Sequence, residues 1–448
     1  MNCAPLLNPY HADRVLAFEK GDPITHYHFL SDVAALADLL PEKSRVMNLT
    51  EDRYWFLVGF AAALVRGQTT LLPPSRAAGA LSKIAREYGT DYCLVDGTER
   101  VEHIPSYQIP KDTRYSPSDE KVPLIPIDHL ALVAFTSGST GNPHPHSKTW
   151  GSLIAIAQAA GTRLGLRIPN RITIVATVPH RHMYGLEASM MLPLQHGLAF
   201  QVKRPLFPED VRSALTAVPS PRMLVTTPLH IRACVTAGVR LPPLQCILSA
   251  TEPLSLSLAK QAETMFQTRV YEMYGFTEAG AVATRRTVAE NTWEVLDGVT
   301  LHQGSDGCSL QAPYLPGPIP FPDRVFPQGS QRFVLHGRGT DLVNIAGRRG
   351  SISDLNQKLS EIEGVQDGVF ILPDETENAV TRLTAFVVAP GKAVEHILSA
   401  LRRVIDPEFL PRPLHLVPNL PRNDTGKLTR EALIGLLHEH HTEERHGT

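Results

Sequence analysis

Four hydroxyl side chains and two glycines fall within six consecutive residues, Thr136-Ser137-Gly138-Ser139-Thr140-Gly141, directly after the apolar run Leu130 to Phe135. Glycines so placed let the chain turn its backbone N–H groups toward one point, and the hydroxyls add donors. The segment therefore suits the oxygens of a polyphosphate. A plain Ser/Thr/Gly surface turn has the same composition, and the lysine of a GxxxxGK[ST] loop is missing. A second cluster, Tyr271-Glu272-Met273-Tyr274-Gly275-Phe276-Thr277-Glu278, gathers an aromatic face, a hydroxyl and a carboxylate at its end. An adenine can stack on Tyr274, Thr277 can bond a phosphate oxygen, and Glu278 can hold Mg²⁺. A tyrosine-rich strand end running into a helix cap accounts for the same residues.

Together these segments resemble the adenylate-forming superfamily: acyl-CoA synthetases, peptide-synthetase adenylation domains and luciferases. The first is similar to the family's phosphate loop, Tyr/Phe-Thr-Ser-Gly-Ser/Thr-Thr-Gly-x-Pro-Lys, and the second to its Tyr-Gly-x-Thr-Glu motif. Three more family elements occur in the expected order. Pro179-His180-Arg181-His182-Met183-Tyr184-Gly185 resembles the segment bordering the acyl pocket. Gly337-Arg338-Gly339-Thr340-Asp341-Leu342-Val343-Asn344-Ile345-Ala346-Gly347-Arg348-Arg349 resembles the hinge motif. Pro421-Arg422-Asn423-Asp424-Thr425-Gly426-Lys427-Leu428-Thr429-Arg430 resembles the loop of the catalytic lysine.

The resemblance implies ATP-dependent activation of a carboxylic acid as its acyl-adenylate, with pyrophosphate released, then transfer to the thiol of coenzyme A or of an acyl carrier protein. It assigns Lys427, Glu278 and Thr277 to catalysis and Glu278 to Mg²⁺. ATP would be held by residues Thr136, Ser137, Gly138, Ser139, Thr140 and Gly141, by Ala250, Thr251 and Glu252 against the adenine, and by Tyr274, Asp323 and Arg338. His182 and Gly275 would border the acid, and Asp341 would be the hinge. The implied fold is α/β. A large domain, residues 1–340, would have mostly parallel sheets flanked by helices. A small mobile α+β domain, residues 341–448, would carry the lysine.

The chain departs from the family in places. His144 stands where the phosphate loop usually ends in lysine, with Lys148 a candidate substitute; Asn344 replaces a common lysine, and Asp323 lacks the usual Thr-Gly before it. The chain is shorter than many relatives, which resembles the short ligases of bacterial aryl-polyene and xanthomonadin pigment clusters, activators of hydroxybenzoate-like acids. The pairs His144/His146 and His180/His182 could bind a metal, but no acidic or cysteine partner has ligand spacing near them. The tail histidines His438, His440, His441 and His446 read as solvated. A regulatory protein that binds adenylate without turnover is the rival reading, against which the presence of Glu278 and Lys427 argues.

Positioning these motifs requires a sheet, and the apolar pattern supplies one. Short runs at Ser44–Asn48, Thr69–Leu72, Tyr92–Val95, Leu130–Phe135, Ile172–Val178, Met223–Thr227 and Gln245–Leu248 read as strands. Helical spacing lies between them at Leu30–Leu40, Glu51–Val65 and Ala77–Tyr88. Strands alternating with helices argue for parallel sheets covered on both faces. The Pro/Gly-rich stretch Gln303–Pro327 reads as irregular or antiparallel. Beyond Gly337 a second pattern begins: helices at Ser353–Ile362 and Val394–Val404, strands at Gly368–Leu372 and Ala385–Val388.

At 448 residues the chain exceeds one ordinary core. Its composition, 43% apolar and 20% charged, is that of a globular protein, and a net charge of -2 gives no footprint for nucleic acid. The five cysteines are scattered without a CxxC, which disfavours a zinc site and fits a reducing cytoplasm. Charges near the start argue against a secretory signal. The run Tyr54–Val65 is too short to span a bilayer, so no transmembrane segment is expected.

Overall fold

The computed structural model describes residues 2–446 apart from 75, 98–99, 102, 111–120, 138–142, 167–170, 305–306, 339–341, 346–347, 374–381 and 424–425. Two large sheets dominate. One has six strands, in the order Pro143–Thr149, Leu130–Ser137, Thr69–Leu72, Arg45–Asn48, Tyr92–Val95, Ser106–Gln108; all pairings are parallel except the first. The other has eleven strands, and its centre runs Val270–Phe276, Cys246–Ser249, Arg222–Thr226, Thr173–Ala176, Ala199–Gln201 in parallel. Apart from Val270–Phe276, whose far end opens to solvent, these central strands are buried almost throughout, which is why they read as unbroken apolar runs rather than as alternation.

The helix Arg53–Val65 is buried at every residue from Arg53 to Leu64. Asp52 caps it through Trp55 N, and the Arg53 guanidinium donates to Ala176 O (3.1 Å) and Val178 O (2.9 Å) at the end of a strand in the other sheet. One apolar core joins this helix to residues of both sheets. The first helix begins at His26, earlier than its apolar spacing implies, because Thr25 and His28 form a reciprocal capping box. No helix among the described residues is long and apolar enough to cross a membrane.

The stretch expected to be irregular or antiparallel forms antiparallel strands: Thr300–Gly304 with Gly307–Gln311, then Ile319–Pro320, while Asp323–Pro327 joins the large sheet. Farther along, Asp367–Ile371, Thr384–Val388 and Leu414–Leu416 make a three-stranded sheet with its own apolar cores, which include the helices Ile352–Ser360 and Val394–Leu401. The chain closes on a helix, Arg430–His446, that apolar periodicity did not announce. His440 on this helix is half-buried and stacks on His415, with ring centroids 4.9 Å apart, so it is not the solvated tail residue expected.

Candidate active site

The ends of the parallel strands carry the motifs. Thr226 leads to Thr227, Ser249 to Ala250-Thr251-Glu252, and Phe276 to Thr277-Glu278, all at the C-terminal edge of neighbouring strands. Adjacent strands lie about 4.8 Å apart, so these three segments form one rim, the usual ligand edge of an open α/β sheet. Thr251 holds a φ of +82°, a left-handed conformation that a β-branched residue rarely adopts. The buried Glu272 supports this segment, since its Oε1 accepts from Leu254 N at 2.8 Å.

Thr277 and Glu278 do not cap a helix. They form the turn of a β-hairpin between Val270–Phe276 and Gly280–Arg285. The pairing shifts register at Tyr274/Gly275, and a Cβ on Gly275 would lie 2.5 Å from Gly280 O, so only glycine fits there. Before the bulge, the Tyr274 hydroxyl donates to Asp323 Oδ2 at 2.5 Å, and the ring sits among Phe276, Trp293, Phe321 and Phe333. Tyr274 and Asp323, 49 residues apart, thus meet directly. In the backbone register of the two strands Arg338 lies opposite Asp323.

Residues 143–149 are a strand, not the tail of a loop. Alternation puts His144, His146 and Lys148 on one face, and that face descends from solvent into the core: His144 is exposed, His146 half-buried, Lys148 2% exposed. His146 Nε2 lies 3.0 Å from Thr136 Oγ1 and 3.8 Å from Glu278 Oε1. Burial lowers the His146 pKa, with Glu278 opposing and Lys148 and His144 adding to the fall. Lys148 cannot stand in for the phosphate-loop lysine, because its Nζ is consumed beneath the turn, donating to the Glu278 carbonyl at 2.6 Å. Ser137 closes the strand that bears Thr136, and Gly138, Ser139, Thr140 and Gly141 lie outside the described residues, as does Asp341.

One residue of this site went unnoticed in the sequence. Glu187 lies in a π-helical turn, Glu187–Met191, fully inside the protein. Its Oε2 accepts from Ala281 N at 3.0 Å, just past the Glu278 turn, and its Oε1 has no hydrogen-bond partner among the described residues. Burial pushes its carboxyl up to about 7, opposed by Lys148 and by the Ala281 N–H. A Cβ on Gly280 would lie 2.6 Å from Glu187 Oε1. Lys148 and Glu187 thus hold the Thr277–Glu278 turn from below, one through a carbonyl and the other through an N–H. A lone acid within the apolar run Tyr184 to Leu194 was the signal available.

The acyl-side segment divides in two. His180 is a core residue: its Nε2 meets Thr50 O at 3.1 Å, its ring packs on Phe56, and burial holds its pKa well below the usual value. His182 is partly exposed at the start of the helix Met183–Leu186. A Cβ on Gly185 would come within 1.9 Å of Pro179 O, so glycine lets this helix turn back on its own entry. The Tyr184 hydroxyl donates to Leu248 O at 2.8 Å.

Lys427 is exposed on a tight loop in which Asn423 Oδ1 accepts from Lys427 N at 2.9 Å. A Cβ on Gly426 would lie 3.6 Å from Thr227 Oγ1, so this loop rests against the strand-end rim. Glu252, expected against adenine, instead bonds Arg422 of the lysine loop. Among the described residues no group of three or more His, Cys, Asp or Glu side chains could hold a metal ion. Magnesium needs only one or two protein carboxylates when substrate phosphates complete its shell, and the exposed Glu278 meets that requirement.

The sequence profile of the family described as AMP-binding enzyme matches residues 8–303. The chain belongs to the AMP-binding enzymes. This AMP-binding enzyme is 27% identical over 267 residues to 4-coumarate–CoA ligase of Rhodobacter capsulatus, covering 60% of this chain and 65% of that one. It is 28% identical over 317 residues to the 4-coumarate–CoA ligase of Halorhodospira halophila, covering 67% and 75%. The first alignment thus spans slightly less than two thirds of the relative. Among solved structures, o-succinylbenzoate CoA synthetase of Bacillus subtilis bound to its acyl-adenylate superposes with a TM-score of 0.80 at 15% identity, covering 97% of this chain and 98% of that one. A benzoate CoA ligase of Burkholderia xenovorans gives 0.78 at 16% identity, with 95% and 97% covered. These two likenesses establish the adenylate-forming fold.

Proposed function

We propose that this AMP-binding enzyme activates a carboxylic acid with ATP, forms the acyl-adenylate with release of pyrophosphate, and passes the acyl group to the thiol of coenzyme A. An aromatic acid of the hydroxybenzoate kind is the substrate class this reading favours. The single observation that carries it is the joining of Tyr274 to Asp323 beside a Thr277–Glu278 turn held from below by two buried charges. That arrangement offers an aromatic wall and a carboxylate for a nucleoside next to a hydroxyl and a carboxylate for phosphates. The names of the relatives, 4-coumarate–CoA ligases, point to the same chemistry.

A carboxylate is a poor electrophile, and attack of its oxygen on the α-phosphate of ATP makes it a mixed anhydride with AMP as leaving group. Charge gathers on the phosphate oxygens during that step, so positioned donors and cations are the source of rate. Asp323 would accept from the ribose hydroxyls and Tyr274 would fix Asp323. Thr136 and Thr277 would donate to phosphate oxygens. His146, whose neutral form burial favours, would orient the Thr136 hydroxyl. Lys427 would bridge the acid's carboxylate and the α-phosphate. Glu278 would hold Mg²⁺, which supplies charge neutralisation at the outer phosphates. His182 and Gly275 would border the acid.

In this reading residues 1–340 bind ATP and acid, and residues 341–448 form a mobile unit that turns about Asp341 between the two half-reactions. The decisive test is a pyrophosphate-release screen of aromatic, short-chain and long-chain acids, with coenzyme A and a phosphopantetheinylated carrier protein as separate acceptors. AMP and acyl-CoA formed together from an aromatic acid are the expected products. ADP in place of AMP, or no acid-dependent turnover, overturns the reading.

A further inference from the structure

We propose that Arg422 is a positioning residue for Lys427, a three-way clamp whose contact with Glu252 holds the lysine loop on the ATP-binding rim. The catalytic part of this proposal rests on the acyl-adenylate reading above.

A guanidinium presents five donors in a fixed planar fork. Arg422 uses that fork in three directions. Its Nε and Nη2 each donate at 2.7 Å to the two oxygens of Asp367, the first residue of the strand Asp367–Ile371. Its Nη1 donates to Gly426 O at 2.5 Å, one residue before Lys427, and also to Glu252 Oε1 in the segment after the strand Cys246–Ser249. One side chain therefore fastens the lysine loop to the small sheet and fastens both to the large sheet. The loop's own geometry agrees: Arg422 bridges Leu428, and Gly426 takes a φ of +83° where it rests near Thr227 and Leu229.

The cluster is largely shielded, the Arg422 and Glu252 side chains being 13% and 25% exposed. Charge-assisted bonds are worth more there than on an open surface. Arg232 of the helix Pro228–Thr236 acts on Asp367, Arg422 and Glu252 alike, so two cations face two carboxylates. Burial pushes the Glu252 carboxyl up while Arg422 and Lys427 draw it down.

The three arms differ in what they depend on. The arms to Asp367 and Gly426 stay within residues 367–428 and persist wherever that unit lies. The Glu252 arm exists only when the lysine loop lies against the rim. Of the three arms, a swing that withdraws Lys427 must break this one, which makes Glu252 a latch for the adenylate-forming arrangement.

The first readout needs no acid substrate. Glu252→Gln should speed trypsin cleavage after Lys427 by about 10-fold, the factor for losing one charge-assisted bond, with global thermal stability unchanged. Arg422→Lys keeps the charge but loses the fork that serves all three arms, and should give an acceleration at least as large. The second readout uses the acid found by the pyrophosphate screen. Glu252→Gln should slow single-turnover pyrophosphate release by at least about 10-fold while transfer from supplied acyl-adenylate stays within about twofold. Unchanged cleavage at Lys427, or equal loss in both half-reactions, overturns the clamp. Should no acid turn over, the ligase reading fails while the cleavage rates still decide the latch.

Discussion

Replacing Glu187 by glutamine isolates the buried charge beneath the active-site turn. The amide keeps the oxygen that accepts from Ala281 N and removes the ionisation. Facing the carboxyl are the Lys148 ammonium, the Ala281 N–H and the buried Tyr314 hydroxyl, whose own pKa is raised by burial and by Glu187. In the folded protein the carboxyl titrates at about 7, against 4.5 for the ordinary group. Between those values the folded state binds more protons than the unfolded chain, so this group's contribution to stability falls as pH rises through the window and is gone above it. At 1.36 kcal/mol per pH unit the whole loss is about 3 kcal/mol, of which about 2–3 kcal/mol falls between pH 5 and pH 8. Glu187→Gln should therefore gain stability relative to the parent across that range. Denaturant titrations of both proteins at pH 5, 6, 7 and 8 give the difference directly, because titrating groups remote from Glu187 cancel in it. A difference that stays flat with pH would falsify the buried, raised carboxyl.

Further outcomes follow from the same geometry. Lys148→Met removes the donor to the Glu278 carbonyl from the core and should cost about 1–3 kcal/mol of stability, as well as raising the KM for ATP; a variant as stable as the parent refutes the buried role. Lys427→Ala should lower single-turnover pyrophosphate release by about 10² to 10³ and spare transfer from supplied acyl-adenylate, and equal loss in both steps rules out the role assigned to it. Asp341→Pro locks φ near −65° and should impair thioester transfer by at least about 10² while adenylation survives; wild-type rates for both in a folded protein move the hinge elsewhere.

The sheet strands were legible because strands buried on both faces are written as apolar runs, and the predicted Thr69–Leu72 and Tyr92–Val95 match the observed bounds. Elements that carry chemistry were harder to read. The strand Pro143–Thr149 holds two prolines and no apolar residue among His144, His146, Ser147 and Lys148, so apolar period-2 reading had nothing to follow. The alternative that made Thr277–Glu278 a strand end and helix cap stayed open in the sequence because the register shift at Gly275 leaves no mark in composition. Tyr274 with Asp323, and Arg422 with Asp367 and Glu252, are contacts across 49, 55 and 170 residues that no local spacing encodes.

The missing lysine of the phosphate loop follows from the parity of one strand. His144, His146 and Lys148 share a face, and the pairing of His146 with Ala134 and Lys148 with Leu132 carries that face inward along the sheet. A cation at the exposed end would meet solvent or a phosphate; the same cation four residues on meets the underside of the Glu278 turn. In the proposed reading, a cation at 148 instead of 144 gives up a direct contact with the outer phosphates and holds the backbone of Glu278 instead. The buried Glu187 belongs to that exchange, because an ammonium this deep is costly without a counter-charge nearby. Sequence comparison by motif registers only the vacancy at 144. The register of the strand puts Lys148 on the face of His144 but beneath the turn, and ties the Lys148 and Glu187 outcomes to a single arrangement: the two variants should disturb the Thr277–Glu278 turn non-additively when combined, since each removes the other's counter-charge.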